Sequence, residues 1–192
     1  MVMLLSGLAL FLGIHMTAVA GVRDKGVAAL GLNAWRGVYG LVAVIGLALI
    51  WMGYADARAA PTVLYTPPSF APHLVLLLMV PVFPLVLAAY LPGRIQTMMK
   101  HPMLVATKLW ALSHLIANGM LADVLLFGGI LAWAVLVRIS LKRRPSRGLM
   151  ISAPASKFND LIAAALGLVL YLAFVMMLHE LLIGVPPVAM GG

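Results

Sequence analysis

Imidazole is the side chain in this sequence best suited to chemistry. His15, His73, His101, His114 and His179 are the histidines of a 192-residue chain that has no cysteine and five acidic residues, Asp24, Asp56, Asp123, Asp160 and Glu180. His15 and His114 fall well inside apolar stretches, and His73 and His101 at the starts of others. His179 stands beside Glu180 near the end of the last. A neutral imidazole can ligate a transition metal or haem iron through one ring nitrogen, and it exchanges protons near neutral pH. The plainer use of a histidine in an apolar stretch is to bond a neighbouring carbonyl. The lack of cysteine excludes disulfides, thiolate catalysis and Cys-ligated zinc or iron–sulfur sites. No HxxH, HExxH or ExxH pattern occurs, and the carboxylates are scattered, which disfavours zinc and di-iron centres. Neither a Gly-rich phosphate loop nor a Ser–His–Asp arrangement is present. His179 and Glu180 are adjacent, so on a helix they point apart.

The elements that must position these groups are membrane helices. With 64% hydrophobic and 9% charged residues and a mean hydropathy of +1.11, the chain lacks the polar surface of a soluble domain. Lipid forces every backbone amide and carbonyl to pair internally, which leaves helices or a closed barrel. Stretches such as LVAVIGLALIWMGY are apolar on every side and do not alternate, so the fold class is an all-α polytopic bundle. The partner implied is the lipid bilayer. The net charge of +8 does not imply nucleic acid, because most Lys and Arg residues flank apolar stretches, where they meet headgroups.

About six spans are expected, over 2–20, 37–54, 73–91, 102–117, 121–139 and 159–183, in a single domain covering 1–192. Ala18-Val19-Ala20 resembles a processing site, but no basic residue precedes the apolar run and Arg23 and Lys25 follow it, so the first span is read as retained. Pro81 and Pro84 should kink the third span. Ala117-Asn118-Gly119 should turn the fourth into the fifth as a helical hairpin. Ala9, Gly13, Thr17 and Gly21 form a small-residue stripe suited to close packing, with His15 facing away from it. Arg23, Lys25, Arg36, Arg94, Lys100, Arg138, Lys142, Arg143, Arg144, Arg147 and Lys157 fall on one side of the membrane and Arg58 on the other. That asymmetry places the N-terminus outside.

Span four carries the most polar content. Met103, Thr107, Trp110, His114 and Asn118 share one face, and His101, Val105, Lys108 and Leu112 another. The first face suits either inward packing, with Asn118 capping the turn, or the wall of a cofactor pocket, with His114 as ligand and Trp110 one turn away. Haem fits such a setting: an apolar macrocycle between helices, imidazole on the iron, and propionates beside cations such as Arg23, Arg36, Arg94 or Lys100.

Four segments carry a family resemblance: KHPMLVATKLWALSHLIANG (Lys100 to Gly119), the following LLFGGILAWAVLVRISLKRR, the opening GLALFLGIHM and YLPGRIQ. They resemble the NnrU family over nearly the whole chain. Members of that family are linked by gene context to denitrification, the reduction of nitrite and nitric oxide. A distant relative is the 15-cis-zeta-carotene isomerase, a membrane haem b protein with a His-Pro motif and a second histidine thirteen residues later. His101-Pro102 and His114 match that motif, and His15 matches its early-span histidine. The resemblance therefore implies haem b, with His15 and His114 as axial ligands, in a bacterial inner-membrane protein serving redox or isomerase-like chemistry.

Two other functions fit the class of molecule. One is a non-enzymatic accessory protein for a membrane reductase, with membrane redox proteins as partners. The other is a small methyltransferase using S-adenosylmethionine, although Lys100-His101-Pro102-Met103-Leu104 lacks the arginine and tyrosine of the RHPxYxG-like pattern. Helical rise sets a geometric condition on the haem reading. His15 lies roughly 7–10 Å from the cytoplasmic end of its span, and His114 nearly 20 Å from that of span four. They share one iron only if span four starts early, near Arg94 to Met98, or tilts. His15 with His101 is the next pair on depth, and His101 could instead anchor a propionate.

Overall fold

A computed structural model describes residues 1–143 and 152–187; Arg144 and Arg147 lie outside the described residues. The described chain is helical, and its β-structure amounts to an isolated bridge between Val63 and Met120. The helices are α1 (Val2–Met16), α2 (Val22–Leu30), α3 (Leu32–Ala59), α4 (Ala71–Met79), α5 (Val82–Ala88), α6 (Arg94–Met99), α7 (Pro102–Ala117), α8 (Leu121–Arg143), α9 (Asn159–Ala173) and α10 (His179–Ile183). A π-helical turn, Phe174–Leu178, joins the last two. Among the described residues four stretches are long and apolar enough to cross a bilayer: Leu32–Ala59, Ala71–Ala88, Leu121–Arg143 and Asn159–Ile183. Val2–Met16 and Pro102–Ala117 are apolar but shorter. The protein is thus an all-α multi-pass membrane bundle, with four stretches of spanning length and two shorter apolar ones among its described residues. Helix α1 ends four residues before the expected end of the first span, and α3 begins five residues before the expected start of the second.

The early end of α1 has a local cause. The Thr17 hydroxyl donates to the Ile14 carbonyl, the chain turns, and Gly21 takes a left-handed φ of 73°. The short helix α2 follows, carrying Arg23, Asp24 and Lys25, and ends at Gly31, whose φ is 80°. Gly26 lies so close to the Trp35 ring that a Cβ would overlap it.

The helices fall into two compact units, α1–α3 with α8 and α4–α7 with α9 and α10. In the first unit α1 lies along α3 at backbone contact. A Cβ on Gly7 would come within 2.6 Å of the Ile50 backbone, and one on Gly46 within 2.8 Å of Phe11 N. One on Gly53 would overlap Leu4. Lipid offers no hydrophobic drive between helices, so such close approach supplies dispersion contact instead. Leu4, Leu8 and Ile50 are buried in the seam. The small-residue stripe expected to pack is not the one used. A Cβ added to Gly13 or Gly21 would meet nothing within 4 Å, because the seam runs through Gly7 on the adjacent face. Within its own unit α8 packs on α1 and α3, and within the other α7 packs on α4 and α5.

In the second unit Pro81 breaks the third span as expected. Having no N–H, Pro81 leaves the Leu77 carbonyl to Val80, which bonds it in a tighter i−3 pattern. That shift frees the Leu76 carbonyl, and the Tyr171 hydroxyl donates to it at 2.9 Å. Pro84 falls in the first turn of α5, where its missing donor has no partner to lose. Gly167 lets α9 pass against the Pro84 backbone. Val82, Leu85 and Ala106 form the core, flanked by Met79, Val105, Leu109 and Trp110. Asn159 and Asp160 tie the start of α9 to α6. Asn159 donates to the Pro92 and Pro154 carbonyls, and the Asp160 carboxylate accepts from the amides of Arg94 and Ile95 at 2.8 and 3.0 Å.

Gly53→Val should lower the thermal midpoint in detergent by an amount equivalent to about 1–3 kcal/mol of overpacking, whereas Gly13→Val should leave it nearly unchanged. Equal effects would contradict the seam.

Candidate cofactor-binding site

Each candidate imidazole is anchored by its own backbone. His15 uses Nδ1 to bond the Phe11 carbonyl at 2.6 Å, and His114 uses Nδ1 to bond the Trp110 carbonyl at 2.9 Å. A carbonyl only accepts, so Nδ1 carries the proton in both rings. In the neutral ring Nε2 then carries the lone pair. This is the arrangement that orients a metal-ligating histidine and fixes its tautomer. The bond to the residue four back holds each ring along the helix toward its preceding turn.

The surroundings of the two rings differ. In the first unit His15 sits among aromatics, with ring centroids at 4.4 Å from Phe11, 5.3 Å from Tyr39 and 5.7 Å from Trp133. Trp133 Nε1 is buried with no hydrogen-bond partner, an orphaned donor beside the imidazole. In the second unit Trp110 lies 4.9 Å from His114, so the two share a face as the spacing requires. Ser113, fully buried, leaves its hydroxyl without a partner. Thr107 commits its hydroxyl to the Met103 carbonyl, and Trp110 packs against the Val82–Leu85–Ala106 core. That face of α7 both packs and presents the ring.

The other expected residues occupy separate places. Asn118 lies in the turn after α7, and its carbonyl accepts from the Tyr65 hydroxyl at 2.7 Å. Lys100, exposed with φ 59°, separates α6 from α7, so span four starts at Pro102 and not in the preceding linker. His101 stands at that start, and its carbonyl accepts the Leu104 and Val105 amides. His114 is then about 18 Å along α7. Lys100 and the exposed Arg94 therefore stand at the far end of α7 from His114. Arg23 pairs with Asp24 at 3.4 Å.

Two features escaped sequence reasoning. The Tyr54 hydroxyl donates to Asp123 Oδ1 at 2.6 Å, and Asp123 Oδ2 accepts from the Met120 amide at 2.9 Å. Asp123 is 2% exposed, and the Arg58 guanidinium lies 5.8 Å from the Tyr54 ring centre. An acid three residues after a turn residue is a capping pattern and could have been read; its tyrosine partner, 69 residues away, could not. Burial, and then the Asp123 charge, hold the Tyr65 phenol above its ordinary pKa. The second feature is His179. Its Nδ1 bonds the Val185 carbonyl at 2.6 Å, and its ring centroid lies 6.5 Å from that of His114, with planes 22° apart.

A family model described as NnrU protein matches residues 3–187. The chain belongs to the NnrU family. No curated protein and no solved structure gives a significant match. The match runs through both compact units and through every histidine of this NnrU chain. Among the described residues no three His, Cys, Asp or Glu side chains gather in a metal-binding group.

Asp123→Ala should destabilise the protein by about 2 kcal/mol or more, since it strands the Tyr54 hydroxyl and the Met120 amide. Thermal melting in detergent measures this, and an unchanged midpoint would show the pair to be dispensable.

Proposed function

We propose that this NnrU-family protein binds haem b in the bacterial inner membrane and serves redox or isomerase-like chemistry connected with nitrite and nitric oxide metabolism. The observation that supports it is the shared state of the span histidines. His15 and His114 each commit Nδ1–H to the carbonyl four residues back and so carry the lone pair on Nε2. In hydrocarbon a histidine is costly to place, which makes an oriented one a functional candidate. Haem supplies reversible one-electron chemistry at iron, tuned by its axial ligands and their hydrogen bonds.

The chain's own residues set that tuning. The Trp110 carbonyl orients His114 and raises its basicity as a ligand, and the Trp110 ring covers one side of it. The Phe11 carbonyl does the same for His15, with Tyr39 and Trp133 around the ring. The resemblance to a haem b isomerase supports reading each imidazole as a candidate ligand of iron. Partners in this reading are membrane redox proteins.

Purified His114→Ala protein should lose at least nine-tenths of its haem by pyridine haemochrome assay, while Lys108→Ala keeps a full complement. Full loading of the His114 variant would overturn the assignment.

A further inference from the structure

His179 contacts His114 within one compact unit, although 65 residues separate them. Helix α10 would not place it there as a regular continuation of α9. The π-helical turn Phe174–Leu178 inserts a wider i→i+5 pattern just before His179, rotating everything that follows. Such turns are uncommon and concentrate at functional positions. After the turn, His179 bonds the Val185 carbonyl through Nδ1 at 2.6 Å, just beyond the left-handed Gly184 that ends α10. Its proton is thereby fixed on Nδ1, and the neutral ring carries its lone pair on Nε2, as in His114.

The relation between the two rings is specific. Their centroids are 6.5 Å apart and their planes 22° apart, near the outer limit of direct aromatic contact. Metal–imidazole bonds of about 2 Å on each side place the centroids of two coaxial imidazoles roughly 6 Å apart. Both residues are only partly buried.

We infer that His114 and His179 are the paired axial ligands of the haem, both drawn from the second unit. This rests on the haem reading above and replaces only the second ligand, His15, which stays in the first unit among Phe11, Tyr39 and Trp133. The π-helical turn is then the element that sets ligand geometry.

Electron paramagnetic resonance and absorption spectra of the full-length, haem-loaded protein test this. The wild type should be low-spin in the ferric state. His179→Gly should become high-spin, and added imidazole should restore the low-spin signal by filling the vacated position. His15→Gly should remain low-spin. A high-spin His15 variant beside an unchanged His179 variant would overturn the His179 assignment and leave the haem reading intact. A wild-type protein that takes up no haem would overturn both. If His179→Gly does not fold, His179→Tyr provides the same comparison, with a high-spin tyrosinate-type spectrum expected and an unaltered low-spin spectrum contradicting the pair.

Discussion

A polar side chain inside a bilayer has no water to turn to, and the rest of this structure depends on that constraint. His15, His114 and His179 meet it in the same way, each by giving its Nδ1 proton to a backbone carbonyl. For His15 and His114 the carbonyl is that of the residue four back on the same helix. A bond made to avoid an orphaned donor also decides which nitrogen keeps its lone pair and where the ring points. Structural satisfaction and readiness to ligate therefore come from one interaction.

The helices around these rings are arranged under the same rule. Where Pro81 removes a donor, the carbonyl released at Leu76 is taken by the Tyr171 hydroxyl. Where α8 begins, the buried Asp123 carboxylate takes both a backbone amide and the Tyr54 hydroxyl. Where α6 begins, Asp160 takes two amides. Each unit thus satisfies its polar groups with bonds between helices, and close glycine contacts at Gly7, Gly46, Gly53 and Gly167 supply the packing. Trp133 Nε1 and Ser113 Oγ are the buried exceptions among the described residues. One stands beside His15 in space and the other beside His114 in sequence.

Much of this was legible in the residues. Continuous apolar stretches located the spans, Pro81 the break, and the Trp110–His114 spacing the shared face of α7. The family emerged from local segments that the match over residues 3–187 bears out. Which glycines pack was not legible, because Gly7 and Gly13 look alike until a neighbouring helix chooses between them. The π-helical turn before His179 was hidden for a related reason: its apolar sequence, FVMML, is equally suited to an α-helix. Without that turn, the spacing of His179 along its span says nothing of His114. The Tyr54–Asp123 bond needed the tertiary fold for the same reason.

The central claim is that oriented imidazoles in this membrane bundle hold a haem. The absorption spectrum of the detergent-purified, full-length protein, oxidised and then reduced with dithionite, tests it most directly. A haem held by two imidazoles should give a Soret band that shifts on reduction, with resolved α and β bands of a low-spin haem b. A well-folded protein that stays colourless after expression with ample haem and after reconstitution with hemin would contradict it.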